Sequence, residues 1–80
     1  MSSNIKFPVF RKYHGKDTYF KIISESEFDE LSFIGSKPFT YHIKAEQYPE
    51  FVRIQDMIAC KDGAWEKITE GEFETKKSAE

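Results

Sequence analysis

The chain has little of what secreted, membrane and many catalytic proteins depend on. It contains a single cysteine, Cys60, among 80 residues, so no disulfide can form within the chain. A lone cysteine is typical of proteins in a reducing compartment and argues against a small disulfide scaffold. The sequence also lacks an apolar run of signal-peptide or membrane-spanning length. These absences predict a cytoplasmic protein with no membrane segment.

Motifs that carry catalysis are missing too. The sequence has no glycine-rich phosphate loop, no GxSxG, no HExxH and no CxxC. Cys60 could act as a nucleophile with His14 or His42, but no local pattern supports this, and a small half-buried residue at a strand end is the simpler interpretation. The three residues are 28 and 18 positions apart, which does not resemble a zinc site. We therefore expect no enzyme activity, no cofactor and no metal.

Aromatic residues are plentiful, with eight phenylalanines, four tyrosines and one tryptophan. Large rings bury much area per residue, which helps a short chain to form a core. We expect one globular domain over residues 1–80, with residues 1–4 and 77–80 disordered. Charge is uneven: residues 1–24 hold five basic residues and one acidic, whereas residues 25–80 hold seven basic and thirteen acidic. Such asymmetry marks either a polyanion-binding face or charges that attract each other within the fold.

A β-hairpin is predicted at the start of the chain. Residues 6–13 and 18–24 are rich in aromatic and β-branched residues, and they flank HGKD, a turn containing Gly15. Pairing Tyr13 with Thr18 sets the register of the two strands.

A second hairpin is predicted in the middle of the chain. The apolar segment LSFIG leads into a turn before Pro38, and the strand 38–45 alternates apolar and polar residues. The residues predicted to point inward are Phe39, Tyr41, Ile43 and Ala45. The next segment, 48–65, is ambiguous: Pro49 suits the first turn of a helix, but a strand leading through KDG into AWEKI also fits.

Two acidic segments, IISESEFDEL and KITEGEFETK, share one pattern. In each, a hydroxyl residue precedes a glutamate by three positions, Ser24 with Glu27 and Thr69 with Glu72, which is the spacing of a helix capping box. The apolar pairs around them have the spacing of a hydrophobic staple: Ile23 with Phe28, and Ile68 with Phe73. We interpret both segments as helix starts. The alternative, a divalent-cation site, lacks the alternating ligands and central glycine of a calcium loop.

The same segments suggest an internal duplication. Residues 7–30 align with residues 52–75 at six identical positions, which predicts two strand–turn–strand–helix units and favours a strand at 51–59. Arg11 and Asp56 are then equivalent, each on an otherwise apolar face. Because a charge there is costly unless paired, we expect Arg11 to bind Asp56. The alternative is a bulge that turns each side chain outward.

Together these patterns predict an α+β fold. It comprises a mainly antiparallel sheet of five to six strands and two short capped helices, at 25–31 and 70–77, arranged as a β-hairpin–helix duplication. The predicted core consists of Val9, Phe20, Ile22, Phe28, Phe39, Tyr41, Ile43, Ile54, Ile58, Trp65, Ile68 and Phe73.

The outer face of the first hairpin is the predicted site, because its register alternates rings with cations. The ligand or partner surface comprises Phe10, Lys12, Tyr19, Lys21, Arg11 and Lys16. Single-strand nucleic-acid binders stack bases on such rings and follow phosphates with such cations. The same pairs also stabilise ordinary sheets, and a helix covering this face would make Phe10 and Tyr19 core residues. We expect a small non-catalytic binding or protein-interaction domain, most simply with a protein partner; the alternative is single-stranded nucleic-acid binding.

Overall fold

A computed structural model of the chain describes residues 6–78, in which five antiparallel strands form one sheet and two α-helices lie against it. The elements are β1 (Val9–Tyr13), β2 (Tyr19–Ser24), β3 (Glu27–Ile34), β4 (Lys37–Lys44), α1 (Tyr48–Ala59), β5 (Trp65–Lys67) and α2 (Glu70–Lys77). The strands are ordered β4-β3-β2-β1-β5. The predicted α+β class is confirmed. Residues 1–4, 79 and 80, which are predicted to be disordered, lie outside the described residues. Of the other two residues in that prediction, Lys77 ends α2 and Ser78 is its C-cap.

The first hairpin has the predicted register. The Tyr13 N–H donates to the Thr18 carbonyl at 3.0 Å, and Phe10 pairs with Lys21. Gly15 lies in the turn with φ 76°, a conformation that favours glycine. The strand β1 begins at Val9 and not at residue 6. Because β1 pairs with β2 on one side and with β5 on the other, it is not an edge strand.

The helix predicted at 25–31 is wrong, because this segment begins β3. Ser24 pairs with Glu27 across a tight turn, and the Ser24 hydroxyl accepts a hydrogen bond from the Ser26 N–H at 3.1 Å. The hydroxyl thus stabilises a turn instead of a helix start, which is another common use of serine near a chain reversal. The absence of this helix also removes the proposed duplication, since residues 7–30 and 52–75 fold differently.

Residues 51–59, interpreted above as a strand, lie in helix α1. Pro49 is in its first turn, and the Glu50 carboxylate accepts hydrogen bonds from the Glu46 and Gln47 N–H groups at 2.7 and 3.1 Å. These bonds satisfy donors that a helix start leaves free, and they hold the pKa of Glu50 below its ordinary value. The helical periodicity of this segment was therefore the correct signal.

The two helices cover opposite faces of the sheet, and each face has its own core. Opposite residues of an antiparallel pair point to the same face, so the pairing registers assign every side chain to one side. Under α1 the buried residues are Phe20, Ile22, Phe28, Ala45, Ile54 and Met57. Under α2 they are Phe10, Tyr19, Leu31 and Phe73.

The predicted core is only partly correct. Five of its members are fully buried: Phe20, Ile22, Phe28, Ile54 and Phe73. Val9, Ile43, Ile58, Trp65 and Ile68 are half-buried against the two cores. Phe39 and Tyr41, however, are exposed, because α1 crosses from the end of β4 towards β1 and leaves the middle of β4 uncovered.

Helix α2 begins at the predicted residue, with the Thr69 half of the predicted capping box. The Thr69 hydroxyl accepts a hydrogen bond from the Glu72 N–H at 3.1 Å, and Ile68 packs against the core that contains Phe73. Acidic residues occupy the first turn and lysines the last, which suits the helix dipole at both ends.

Replacing Thr69 by alanine should lower the free energy of unfolding by about 0.5–2 kcal/mol, because the Glu72 N–H loses its partner. The change should act through helix content, so we expect the far-ultraviolet circular dichroism of the folded state to weaken as well. Ser24→Ala is the matched control, since it removes a hydroxyl–backbone bond in a turn and should leave that helical signal unchanged. Equal helix loss in both variants would contradict the assignment.

The predicted pairing of Arg11 with Asp56 is wrong, because Arg11 binds other groups of α1. Arg11 does lie on the α1 side of β1, but its guanidinium donates to the carbonyls of Met57 at 3.0 Å and Ile58 at 2.8 Å, as well as to its neighbour Phe10. These carbonyls belong to the last turn of α1, which has no basic residue of its own. Arg11 therefore supplies the positive charge that a helix C-terminus favours.

Candidate binding surface

The two rings of the predicted surface are core residues. Phe10 and Tyr19 are only 8% and 2% exposed, because α2 lies over this face and places Phe73 against the Phe10 ring at 5.5 Å. The expectation that these rings face solvent is therefore wrong, although their register with the two lysines is correct. Buried rings cannot stack on bases, so this face lacks the main feature of a single-strand nucleic-acid site.

Three cations of that surface, Arg11, Lys12 and Lys16, contact groups within the protein. The Lys12 ammonium lies 5.9 Å from the centre of the Tyr19 ring and 3.7 Å from a Glu66 carboxylate oxygen. Lys16 lies over the Tyr13 ring at 5.7 Å. Lys21 is half-buried opposite Asp29, and Arg11 caps α1 as described. The structure thus groups Phe10, Lys12, Tyr19 and Lys21 on the face that α2 covers, whereas Arg11 lies on the opposite face and Lys16 in the turn.

The histidines and the cysteine do not form one site. His14 hydrogen-bonds to Glu66 of β5, and this bond is the main reason that the pKa of Glu66 is lowered. His42 contacts Asp29 of β3, and Cys60 ends α1 in a left-handed conformation with φ 54°. Across residues 6–78, no three histidine, cysteine, aspartate or glutamate side chains are grouped as metal ligands would be.

Two exposed rings of the described chain lie side by side on β4, apart from the exposed Tyr48 and Phe51 of α1. Phe39 is 37% exposed and Tyr41 is 51% exposed, and both lie on the α1 side of the sheet. They are opposite Ser32 and Glu30, which offer no apolar cover. Two neighbouring exposed rings at a sheet edge form a patch of the kind that partner proteins bury.

Backbone groups at the outer edge of β4 are also free to pair. Gly35 and Ser36 form a two-residue turn, so Lys37 and every second residue after it direct their N–H groups to β3. The outward N–H groups are then those of Thr40, His42 and Lys44. Because β4 ends the sheet, no other strand within residues 6–78 pairs with them. We call the side chains of Lys37, Phe39 and Tyr41, together with these outward backbone groups, the β4 surface.

His42 is the main titrating group beside this surface. Its Nδ1 lies 2.7 Å from an Asp29 oxygen, and its Nε2 lies 3.5 Å from Glu27. The hydrogen bond with Asp29 is the chief reason that the pKa of His42 is raised above 6.5, with a smaller contribution from Glu27. Protonated His42 therefore links β3 and β4 on the face opposite the exposed rings.

Stability should depend on the protonation of His42. Because its pKa is raised on folding, its stabilising contribution is complete below the ordinary value of 6.5 and is lost as pH rises through the higher pKa of the folded state. We expect the free energy of unfolding to fall across that window in the natural chain, and His42→Gln to flatten the fall. Urea unfolding at a series of pH values tests this, and an identical pH profile in both proteins would contradict it.

The sequence pattern missed the β4 surface because clean alternation was taken to mean an inward face. The warning signals were Pro38 and the lysines at both ends of the strand, since proline and lysine are typical of exposed edge strands.

Over residues 6–78, neither helix combines the length and the apolar character needed to span a membrane. Comparison of the chain with protein-family models, curated proteins and solved structures finds no significant match.

Proposed function

We propose that the protein is a small, non-catalytic binding domain that recognises another protein through its β4 surface. The observation that carries this proposal is the pair of exposed rings, Phe39 and Tyr41, beside unpaired backbone groups on an eight-residue edge strand. Single exposed apolar residues are ordinary, but two adjacent rings next to an open edge combine an aromatic anchor with a strand that can be extended.

A protein ligand suits this surface better than nucleic acid. The chain carries a net charge of −2, and Arg11 and Lys12 of the first hairpin contact other groups of the fold. A nucleic-acid ligand would need free cations along a continuous groove, with rings open to the bases. The cytoplasmic location stays a prediction based on the single cysteine.

Replacing both Phe39 and Tyr41 by serine should weaken partner binding while leaving the fold intact, because neither ring belongs to a core. We would cross-link the full chain in native extract, identify the captured proteins, and then measure the purified partner by calorimetry. We expect the affinity to fall at least about tenfold in the variant. Tyr48→Ser is the matched control, since this ring is exposed on α1 and not on β4.

The salt dependence of the interaction separates the ligand classes. A partner held by apolar contacts and backbone hydrogen bonds should bind almost equally at low and high salt, whereas phosphate binding weakens steeply. Capture of nucleic acid with a steep salt dependence would overturn the proposal. Equal partner capture by the natural chain and the double serine variant would do so too.

A further inference from the structure

We propose that the partner binds as an added strand: an extended segment with alternating apolar residues and acidic residues at its ends pairs along β4. This inference rests on the proposed function and specifies the kind of ligand that the β4 surface takes. Its basis is the arrangement of backbone groups, rings and charges along the eight residues of β4.

The backbone of β4 defines where a partner strand would pair. The outward N–H groups of Thr40, His42 and Lys44 are regularly spaced donors with no strand beside them in the described chain. Pro38 has no N–H and occupies the next outward position, so the row of donors ends there. Pairing is therefore expected along residues 40–44, with the Pro38 carbonyl still able to accept a bond.

The two sheet edges differ in a way that singles out β4. The opposite edge, β5, has only three residues, Trp65–Lys67, which leaves little backbone for a ligand strand. Short strands are one of the means by which proteins protect an edge, whereas an eight-residue edge offers a long template. The added strand would also place its side chains beside Phe39 and Tyr41 on the α1 side.

Charge indicates that the ligand is acidic. Residues 37–44 contain Lys37 and Lys44 and no acidic residue, whereas His42 already contacts Asp29 and Glu27. The lysines mark the two ends of the strand and lie on opposite faces of the sheet, where neither forms an ion pair within residues 6–78. Acidic residues flanking the apolar middle of a ligand would meet these lysines, whereas a second copy of β4 would bring more positive charge to the same edge.

Model peptides test the pairing and the charge preference. The probes are a peptide of alternating valine and threonine with glutamates at both ends, and the same peptide with lysines at both ends. We expect the glutamate peptide to bind the full chain about tenfold more tightly than the lysine peptide. Combining Lys37→Glu with Lys44→Glu should reverse that preference, whereas Lys61→Glu with Lys76→Glu, an equal charge change on exposed residues elsewhere, should not.

Amide hydrogen exchange of the natural chain measures directly whether the β4 backbone pairs with the peptide. The amides of Thr40, His42 and Lys44 should become protected when the glutamate peptide binds, because they change from solvent-exposed to hydrogen-bonded. Thr40→Pro removes one outward donor and should weaken binding about fivefold or more. If that variant does not fold, exchange in the natural chain decides the question.

The outcomes distinguish this inference from the proposed function. If neither peptide binds or the amides stay unprotected, strand addition is overturned, and if both peptides bind equally, the acidic preference is overturned. The proposed function then still stands when the double serine variant loses its natural partner. Concentration-dependent dimers of the chain that protect the same amides would overturn the acidic-ligand inference in favour of a second copy.

Discussion

Replacing Phe73 by alanine should lower the free energy of unfolding by about 3–5 kcal/mol, enough to unfold much of a domain of this size. Phe73 is fully buried between the sheet and α2, and it is the only buried residue of that helix. A helix of eight residues is not stable alone, so without this ring α2 should leave the sheet. Urea unfolding followed by tryptophan fluorescence measures the loss.

Detachment of α2 would also uncover Phe10 and Tyr19, the rings that it shields. We therefore expect the Phe73→Ala variant to bind a hydrophobic dye that the natural chain does not bind. Thr75→Ala, on the exposed side of the same helix, is the control and should change stability by less than about 0.5 kcal/mol. A Phe73 variant as stable as this control would show that α2 contributes little to the fold.

Arg11→Met should cost about 1.5–3 kcal/mol, because the substitution keeps an apolar stem but removes charged donors from the carbonyls of Met57 and Ile58. It also removes the positive charge at the C-terminus of α1. The measurement is the free energy of unfolding of the two proteins in urea.

Two further variants separate helix capping from the ion pair that the sequence suggested. Arg11→Lys should recover only part of the loss, since a lysine cannot reach both carbonyls with a planar fork of donors. Asp56→Leu should have no energetic coupling to Arg11→Met in a double-mutant cycle. Strong coupling between the two sites would restore the ion pair as the explanation.

Local rules predicted the parts of the fold in which neighbouring residues decide the structure. The register of the first hairpin follows from its turn, and the start of α2 follows from the Thr69 hydroxyl and the Glu72 N–H. Each involves residues only a few positions apart along the chain, although the same spacing at Ser24 and Glu27 forms a turn between strands.

Residues 27–30 of β3 were mispredicted as helix, whereas LSFIG was correctly predicted as a strand; β3 is covered on both faces. Phe28 is buried under α1, and Leu31, three positions later, is buried under α2. A spacing of three between buried residues is typical of a helix, but in a central strand it results from one apolar residue on each face. No local pattern reveals that helices will cover both sides.

The candidate surface was mispredicted for a related reason. The composition of the first hairpin correctly indicated rings alternating with cations, but exposure depends on where α2, far along the chain, finally packs. The reverse error at Phe39 and Tyr41 has the same origin, because α1 leaves β4 before it covers them. Strand faces can be read from the sequence, whereas the helix that covers each face is a property of the whole fold.

Because β1 lies between β2 and β5, the sheet is completed by pairing between distant parts of the chain. The hairpins from β1 to β4 join sequence neighbours and should form early, while β5 must close a long loop and should dock late. A chain emerging from the ribosome would thus hold four strands before β5 pairs with the outer edge of β1 and before α2 covers its face of the sheet. Synthesis that stopped before residue 65 would leave that aggregation-prone intermediate as its final product.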